Sequence, residues 1–183
     1  MLGNPAYPNI HQKLINRCRK GDHKAQFEIY RLYYKSMYNT SLRIVKDPQE
    51  AEDIMQESFL SAFRNIETYR GQVSFGAWLK RIVVNNSLDV LKKRRLLFEE
   101  LNEDYTAYAE LEEGIDEELL AQQLVRILEA IQQLPEGYRV ILSLHLLEGY
   151  DHEEIAEILN ITSSTSRSQF FRAKQKLLGL LKK

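Results

Sequence analysis

Residues Tyr150–Leu177 read Y-D-H-E-E-I-A-E-I-L-N-I-T-S-S-T-S-R-S-Q-F-F-R-A-K-Q-K-L, a pattern of two helices joined by a short turn. Asp151 suits the N-cap of the first helix, and Glu154 stands where it completes a capping box. Ile161 is expected to fill the turn, and the Ser and Thr residues after it suit the start of the second helix. The stretch therefore predicts a helix-turn-helix unit.

The second helix of this unit is predicted to have a buried face and an outward face. Its apolar residues recur three and four positions apart; they are Phe170, Ala173, Leu177 and Leu180 or Leu181. The opposite face and its flank carry Ser164, Arg167, Ser168, Phe171, Arg172, Lys174 and Gln175. Hydroxyls at a helix start can bind phosphates, and Arg and Gln can reach base edges. Two interpretations stay open: a helix that reads DNA, or a solvated helix that closes a bundle.

Helical periodicity also dominates the first half of the chain, and no strand alternation is evident. The first predicted helix covers His11–Arg19. A second, capped by Asp22, has an apolar stripe made of Phe27, Tyr30, Tyr34, Met37, Tyr38 and Leu42. Asp47 and Glu50 predict a capping box at the start of a third helix, with Pro48 at its first position.

Further helices are predicted beyond residue 70, so the expected fold is all-α. Ser74 can cap a helix that runs from Phe75 to Arg95. A later helix has the apolar stripe Leu120, Leu124, Ile127, Ile131 and Leu134, and another covers about Tyr138–Leu147.

The net charge of −1 conceals three segments of different charge. Residues 1–95 hold 17 Lys and Arg against 9 Asp and Glu, and residues 96–118 hold ten acidic residues and no basic one. Residues 119–183 hold 8 basic and 7 acidic residues. This division predicts two domains, at 1–95 and 119–183, joined by an acidic linker at 96–118. The basic first domain fits either a solvated surface or a polyanionic partner.

Several protein classes do not fit this composition. The single cysteine, Cys18, excludes a disulfide framework and a cysteine-rich zinc site, and it could sense redox state only if exposed and of lowered pKa. No apolar run approaches the roughly 20 residues of a membrane-spanning helix, and the N-terminus lacks the pattern of a signal peptide. The histidines are scattered, and no glycine-rich phosphate loop is present. We therefore expect a cytoplasmic protein without membrane insertion, enzymatic activity, metal or cofactor.

The helix-turn-helix stretch resembles region 4 of bacterial sigma factors. Its matching residues are Gly149, Glu154-Ile155-Ala156, Thr165, Arg167, Ser168, Arg172 and Ala173, preceded by the similar stretch Q-L-P-E-G-Y-R-V-I-L. Two earlier stretches, E-A-E-D-I-M-Q-E-S-F-L and F-G-A-W-L-K-R-I-V-V-N-N-S-L-D, are similar to region 2. No other domain separates these regions, a layout that resembles the extracytoplasmic-function (ECF) class.

The resemblance implies a transcription initiation factor that binds core RNA polymerase, directs it to promoters and helps to melt them. The polymerase contacts that it implies are Glu52, Asp53, Gln56 and Glu57. The implied contacts to the minus-ten promoter element are Lys80, Arg81, Asn85, Asn86, Ser87, Asp89, Lys92, Lys93 and Arg94. The implied contacts to the minus-thirty-five element are Ser164, Thr165, Arg167, Ser168, Gln169, Phe171, Arg172 and Lys174. An anti-sigma factor is the further partner that the family implies.

The same resemblance gives roles to three other features. The loop Tyr69–Val73 is expected to border a pocket for an unstacked minus-ten base, with Asn85 at the base-reading position of the family. Trp78 either stacks on DNA or belongs to the core. The acidic linker is a tether, a polyanion mimic in the RNA path of the polymerase, or a shield over the basic first domain.

The chain departs from the family pattern at three positions of the last helix. Ser166 stands where the family has an apolar residue, and Gln169 and Lys174 stand where it has Arg. Neither Gln nor Lys reproduces a bidentate contact of Arg to guanine, which leaves the promoter preference open. The other classes considered are a stand-alone helix-turn-helix regulator and a helical adaptor that binds protein only. A simple regulator does not need the stretches D-I-M-Q-E and W-L-K-R-I-V-V-N.

Overall fold

The computed structural model describes residues 10–97 and 117–182, with side chains at 10–94 and 122–182. Every regular element in these ranges is helical, which confirms the all-α prediction. The chain separates into two compact units between Phe98 and Glu99. Across the described ranges, no helix is long and apolar enough to cross a membrane.

The described part of the first unit contains four α-helices and one 3-10 turn. Their bounds are Gln12–Arg19 for α1, His23–Val45 for α2, Pro48–Arg64 for α3 and Phe75–Leu97 for α4, with the 3-10 turn at Ile66–Thr68.

Side-chain caps start α2, α3 and α4 where the sequence predicted them. Asp22 accepts hydrogen bonds from two backbone amides of α2, and Asp47 accepts one from the amide of Glu50 at 2.9 Å. Ser74 accepts one from the amide of Ala77 at 3.2 Å. Each bond satisfies an amide that has no partner within the first turn of its helix.

Only one of the two bonds of the capping box predicted at the start of α3 forms, and the carboxylate of Glu50 does not supply the other. The carboxylate of Glu50 forms an ion pair with Arg94 of α4. Arg94 also donates to the carbonyl of Val45 at 3.1 Å. A charged partner makes a stronger hydrogen bond than a neutral amide, so Glu50 links two helices and does not close its own.

α2 lies at the centre of the first unit and packs against α1, α3 and α4. Ile29, Met37 and Ile44 of α2 are almost wholly buried, whereas Phe27 is 61% exposed. The apolar stripe predicted for α2 is therefore wrong at Phe27 and misses Ile29 and Ile44. A helix with neighbours on several sides buries more than one stripe, which a single three-four pattern does not capture. The other helices complete this core with residues that include Ile15, Phe59, Phe75, Leu79 and Val83.

The second unit is built around α8. The helices described there are α5 at Glu117–Gln133, α6 at Glu136–Leu142, α7 at His152–Leu159 and α8 at Ser163–Leu181, and a π-helical turn at Ser143–Leu147 continues α6. α8 packs against α5, α6 and α7. The core contains Ala130, Ile131, Leu134, Tyr138, Leu142, Ala173 and Leu177.

The apolar stripe predicted for α5 is wrong at Leu124, which is 54% exposed. Residues 122–126 of this helix are exposed, Ile127 packs against the core, and the described buried residues begin at Ala130.

The helix-turn-helix prediction is confirmed at its caps. The carboxylate of Asp151 accepts from the amide of Glu154 at 2.8 Å, and the carboxylate of Glu154 accepts from the amide of Asp151 at 2.9 Å. Asn160 ends α7 in the left-handed conformation, with φ at 54°. Thr162 then caps α8 by accepting from the amide of Thr165 at 3.0 Å.

The predicted linker at 96–118 overlaps the helices by two residues at each end. α4 continues to Leu97, and α5 begins at Glu117. The remainder of the linker lies outside the described residues, so the domain borders at 95 and 119 and the roles of the acidic segment stay predictions.

Candidate nucleic-acid interface

The outward face of α8 presents most of the residues predicted to contact the minus-thirty-five element. Its exposed members are Ser164, Arg167, Ser168, Phe171, Arg172 and Lys174, while Thr165 and Gln169 are half-buried. Phe171 is 63% exposed among cationic side chains. An exposed aromatic ring suits apolar contact with a base, and the guanidinium groups suit phosphates or base edges.

Arg167 is held by an ion pair that the sequence did not reveal. Its Nη2 donates to Oε1 of Glu153 on α7 at 2.6 Å, and both side chains are more than half exposed. An exposed pair of this kind contributes about 0–1 kcal/mol to stability, so its main effect is to orient the guanidinium. The two residues are 14 positions apart, and only the turn between α7 and α8 brings them together.

Three rings join the parts of the helix-turn-helix beneath this face. The rings of His145 and His152 stack with their centroids 4.5 Å apart and their planes within 13°. Phe170 of α8 meets both rings edge-on, with centroids at 4.5 and 5.5 Å. Nδ1 of His145 lies 2.8 Å from the carbonyl oxygen of Tyr150, which can only accept, so this nitrogen carries a proton. His145 therefore packs within this unit and binds a backbone carbonyl.

Ser166, where the chain departs from the family pattern, contacts His152 on α7. Ser166 is wholly buried, and its Oγ lies 2.9 Å from Nδ1 of His152. A buried hydroxyl needs a hydrogen-bond partner, and His152 supplies one where an apolar residue would need none. Burial, followed by the nearby His145 and Arg167, lowers the pKa of His152 below its ordinary value.

A second outward face runs along α4. Arg81, Asn85, Asp89 and Lys92 are spaced three and four residues apart, which places them on one side of the helix. Asn85, Asp89 and Lys92 are exposed, and Arg81 is half-buried. Nζ of Lys92 lies 3.4 Å from a carboxylate oxygen of Asp89. Of the other predicted cations, Lys93 is exposed and Lys80 is half-buried.

Ser87 does not reach this face, so its prediction as a DNA contact is wrong. The side chain is wholly buried, and its hydroxyl donates to the carbonyl of Val83 at 2.8 Å with Oγ of Ser41 at 3.0 Å. α4 packs against α2 on this side, and a hydroxyl enclosed there bonds within the fold.

Asn86 and Arg94 are also used inside the first unit. Nδ2 of Asn86 donates to Oγ of Ser58 on α3 at 2.9 Å, and the side chain is half-buried. Arg94 holds Glu50 and the carbonyl of Val45. Both residues were predicted to contact minus-ten DNA, but their polar groups already join α4 to neighbouring helices.

The loop Tyr69–Val73 lies just before α4, and hydrogen bonds of Tyr69 hold it in place. The hydroxyl of Tyr69 donates to the carbonyl of Val73 at 2.8 Å, and Arg19 donates to the carbonyl of Tyr69 at 2.6 Å. Tyr69 itself is buried, so only the other residues of the loop can border a pocket; Arg70, Gln72 and Val73 are exposed. Trp78 packs on Tyr69 and Phe75 at ring distances of 5.3 and 5.4 Å, which favours its interpretation as a core residue.

The predicted polymerase contacts share one face of α3. Glu52, Asp53, Gln56 and Glu57 are all exposed. Gln56 donates to the carboxylate of Glu52 at 3.2 Å, and an oxygen of Glu57 lies 3.6 Å from a guanidinium nitrogen of Arg64. Leu60, one turn further along, is 50% exposed and was not predicted to belong to this face. Acidic groups beside an exposed leucine can bind a basic protein surface that also has an apolar patch.

Cys18 does not meet the conditions for redox sensing. The thiol is buried, and burial raises its pKa to about 11. A thiol of that pKa is almost entirely protonated at neutral pH and therefore a poor nucleophile.

Sequence comparisons match both units to known families. Residues 29–96 match Sigma-70 region 2, and residues 124–177 match Sigma-70, region 4. The ECF RNA polymerase sigma-E factor of Haemophilus influenzae is 34% identical over 173 residues, which cover 90% of this chain and 91% of that protein. The ECF RNA polymerase sigma factor SigW of Bacillus subtilis is 30% identical over 91% of this chain and 94% of its own length.

Two solved structures share the fold. CnrH in complex with the cytosolic domain of CnrY matches with a TM-score of 0.58 at 19% identity, over 94% of this chain and 97% of that one. The sigma factor RpoE of Bartonella quintana, in complex with the anti-sigma factor NepR, matches with a TM-score of 0.58 at 20% identity, over 85% and 95% of the two chains.

Proposed function

The chain belongs to the ECF class of bacterial RNA polymerase sigma factors, and we propose that the outward faces of α4 and α8 divide promoter recognition between its two units. As a member of this class it is a transcription initiation factor, which binds core RNA polymerase and directs it to promoters. It is not an enzyme, and the chemistry of RNA synthesis belongs to the polymerase.

The outward face of α8 is proposed to read the minus-thirty-five element. The observation that carries this proposal is the exposure of Arg167, Phe171 and Arg172 on the side of α8 opposite the buried Ala173 and Leu177. A recognition helix docked by its apolar side can enter a major groove with its polar side. Ser164, Ser168 and Lys174 would add phosphate contacts, with the half-buried Thr165 and Gln169 at the margin.

The outward face of α4 is proposed to capture the minus-ten element. Asn85 is the candidate for reading an unstacked base, because its amide can bond to a base edge and the side chain is exposed. Arg81, Lys92, Lys93 and Lys80 would attract phosphates, and Asp89 would orient Lys92. Extruding a base costs a few kcal/mol, which contacts from α4 and the loop before it would offset.

The exposed face of α3 is proposed to dock on the polymerase through Glu52, Asp53, Gln56 and Glu57. We extend this surface to Leu60, since an exposed apolar group next to acidic ones adds buried area to an otherwise polar contact. The face carries no predicted DNA contact, so polymerase and DNA can be bound at the same time.

The remaining proposals concern partners and location. An anti-sigma factor is a proposed partner; the two structural neighbours are recorded with CnrY and with NepR, respectively. We place the protein in the cytoplasm, where core polymerase and promoter DNA are. The acidic segment at 96–118 is proposed to join the domains at 1–95 and 119–183 and to act as a tether.

Run-off transcription with purified core polymerase tests this function. Templates selected by the reconstituted holoenzyme from a random pool should yield transcripts that start at one position. Glu52→Lys/Asp53→Lys should abolish both transcription and co-purification with polymerase, whereas Glu129→Lys on α5 should leave both intact. Selected DNA that is bound equally well without polymerase would favour the stand-alone regulator instead.

A further inference from the structure

A cluster of histidines lies where the three parts of the helix-turn-helix meet. His145 belongs to the π-helical turn, His152 is the first residue of α7, and Ser166 and Phe170 belong to α8. The two imidazoles stack at 4.5 Å, Nδ1 of His152 lies 2.9 Å from Oγ of the wholly buried Ser166, and the Phe170 ring meets both imidazoles in T-shaped geometry. The position of α8 on α7 is therefore set by a contact that contains two titratable groups.

The charges around His152 favour its neutral form. Burial, His145 and Arg167 lower its pKa, whereas the smaller effects of Glu153 and Asp151 raise it. Glu153 is already paired with Arg167 at 2.6 Å, so most of its attraction for a second cation is used. On the far side of the cluster, Nζ of Lys174 lies 5.9 Å from the centre of the Phe170 ring.

A proton on His152 places a cation at stacking distance from the His145 ring and near Arg167, so positive charge is disfavoured at this contact. His145 keeps its hydrogen bond from Nδ1 to the carbonyl of Tyr150 whether or not His152 is protonated.

We propose that His145 and His152 are a positioning pair that makes promoter reading sensitive to protons. While His152 is neutral, the pair holds α8 in position to read minus-thirty-five DNA; protonation of His152 loosens α7 from α8. This inference rests on the proposed role of α8. Neither residue contacts DNA in this scheme, since both act through the placement of α8.

The direction of the pH effect follows from the burial of His152. Its pKa in the folded chain lies below the ordinary value of about 6.5. The folded arrangement is therefore fully favoured above about pH 6.5 and is lost as the pH falls through the lower, folded pKa. Added positive charge attracts any DNA, so the quantity that should fall is the preference for specific over non-specific DNA.

The first test is an NMR titration of the imidazoles in the full chain between pH 8 and 5. We expect His152 to titrate below its ordinary pKa of 6.5. In a His145→Asn variant His152 should titrate at higher pH, because one source of repulsion is gone. Titration of His152 at or above that ordinary value would overturn the proposal without reference to any function.

The second test measures holoenzyme on a duplex that it selected at pH 7.5, against a scrambled duplex of the same composition. Between pH 7.5 and 5.5 the preference of the wild type should fall, because protonation of His152 loosens α7 from α8. The double variant His145→Asn/His152→Asn should lose this dependence, because an Asn amide can replace Nδ1 in both hydrogen bonds but does not titrate. The control His23→Asn should behave as the wild type.

The outcomes separate the two proposals. If no duplex is selected at pH 7.5, the proposed function fails, and the titration alone decides the histidine pair. If selection succeeds but the wild type and the double variant share one pH profile, the pair is only structural and the inference is wrong. Circular dichroism would show whether the double variant folds; if it does not, His152→Asn alone takes its place.

Discussion

α4 and α8 both carry arginines and an outward polar face. They differ in the number of their polar residues that lie on this face. On α8 the guanidinium groups of Arg167 and Arg172 are exposed. On α4, which packs against α2 and α3, Ser87 is wholly buried and Arg94 holds two groups of neighbouring helices. The packing around a helix, more than its basic composition, decides which of its polar residues can reach DNA.

The largest effect is expected at Arg172 on α8. Arg172→Ala should weaken minus-thirty-five binding by about 1–3 kcal/mol if the guanidinium contacts a base, with no change in thermal stability because the side chain is exposed. Fluorescence anisotropy of holoenzyme on promoter DNA measures it, with Lys182→Ala, beyond the end of α8, as the control. A lower melting temperature with unchanged binding would place Arg172 among the structural residues.

The comparison predicts the opposite behaviour for Arg94 on α4. Arg94→Gln should lower the free energy of unfolding of the first unit by about 1–2 kcal/mol, since it removes the charged bonds to Glu50 and Val45. Lys93→Gln, its exposed neighbour, should change stability by less than about 0.5 kcal/mol. Urea unfolding followed by the fluorescence of Trp78, the only tryptophan, reports on this unit. Equal effects of the two variants on stability would contradict the assignment.

Ser87 should show a similar but smaller effect. Ser87→Ala should cost about 1 kcal/mol of stability, because it removes a buried hydroxyl that bonds to Val83 and lies beside Ser41. The same urea experiment measures it, with Asn85→Ala on the outward side of α4 as the stable counterpart. If Ser87→Ala leaves stability unchanged but impairs promoter melting, Ser87 would belong to the DNA-binding face and not to the core.

The smallest effect is expected at Glu153, next to the outward face of α8. Glu153→Gln frees Arg167 and removes a negative charge near phosphates, so non-specific DNA binding should tighten about twofold to fivefold at low salt and the gain should vanish at high salt. Binding measured over a salt series tests this, and Glu129→Gln on α5 is the matched control. Weaker binding would mean that the orientation imposed by Glu153 matters more than the charge that it cancels.

The sequence predicted the local signals of this fold better than its long-range contacts. Asp22, Asp151 and Thr162 cap helices as expected, since a cap depends on residues within one turn. Phe27 was assigned to the core and is exposed, because the neighbours of a central helix cannot be read from its own periodicity.

The candidate site shows the same limit. The outward residues of α8 followed from helical spacing and the family pattern. On α4, only the structure shows that Ser87, Asn86 and Arg94 are used within the first unit. The stacking of His145 on His152 depends on a turn between them that no local pattern encodes.

The central claim is that the outward side of α4 captures the minus-ten element and its inward side does not. Permanganate reactivity of thymines in that element tests this claim most directly. Open complexes formed with Asn85→Ala should lose reactivity about fivefold or more, for a lost contact of about 1–3 kcal/mol, while polymerase binding and minus-thirty-five protection persist. Ser87→Ala should keep nearly wild-type reactivity at temperatures where the first unit is folded. Normal melting with Asn85→Ala, or loss of polymerase binding, would contradict the assignment of the outward face of α4 to the minus-ten element.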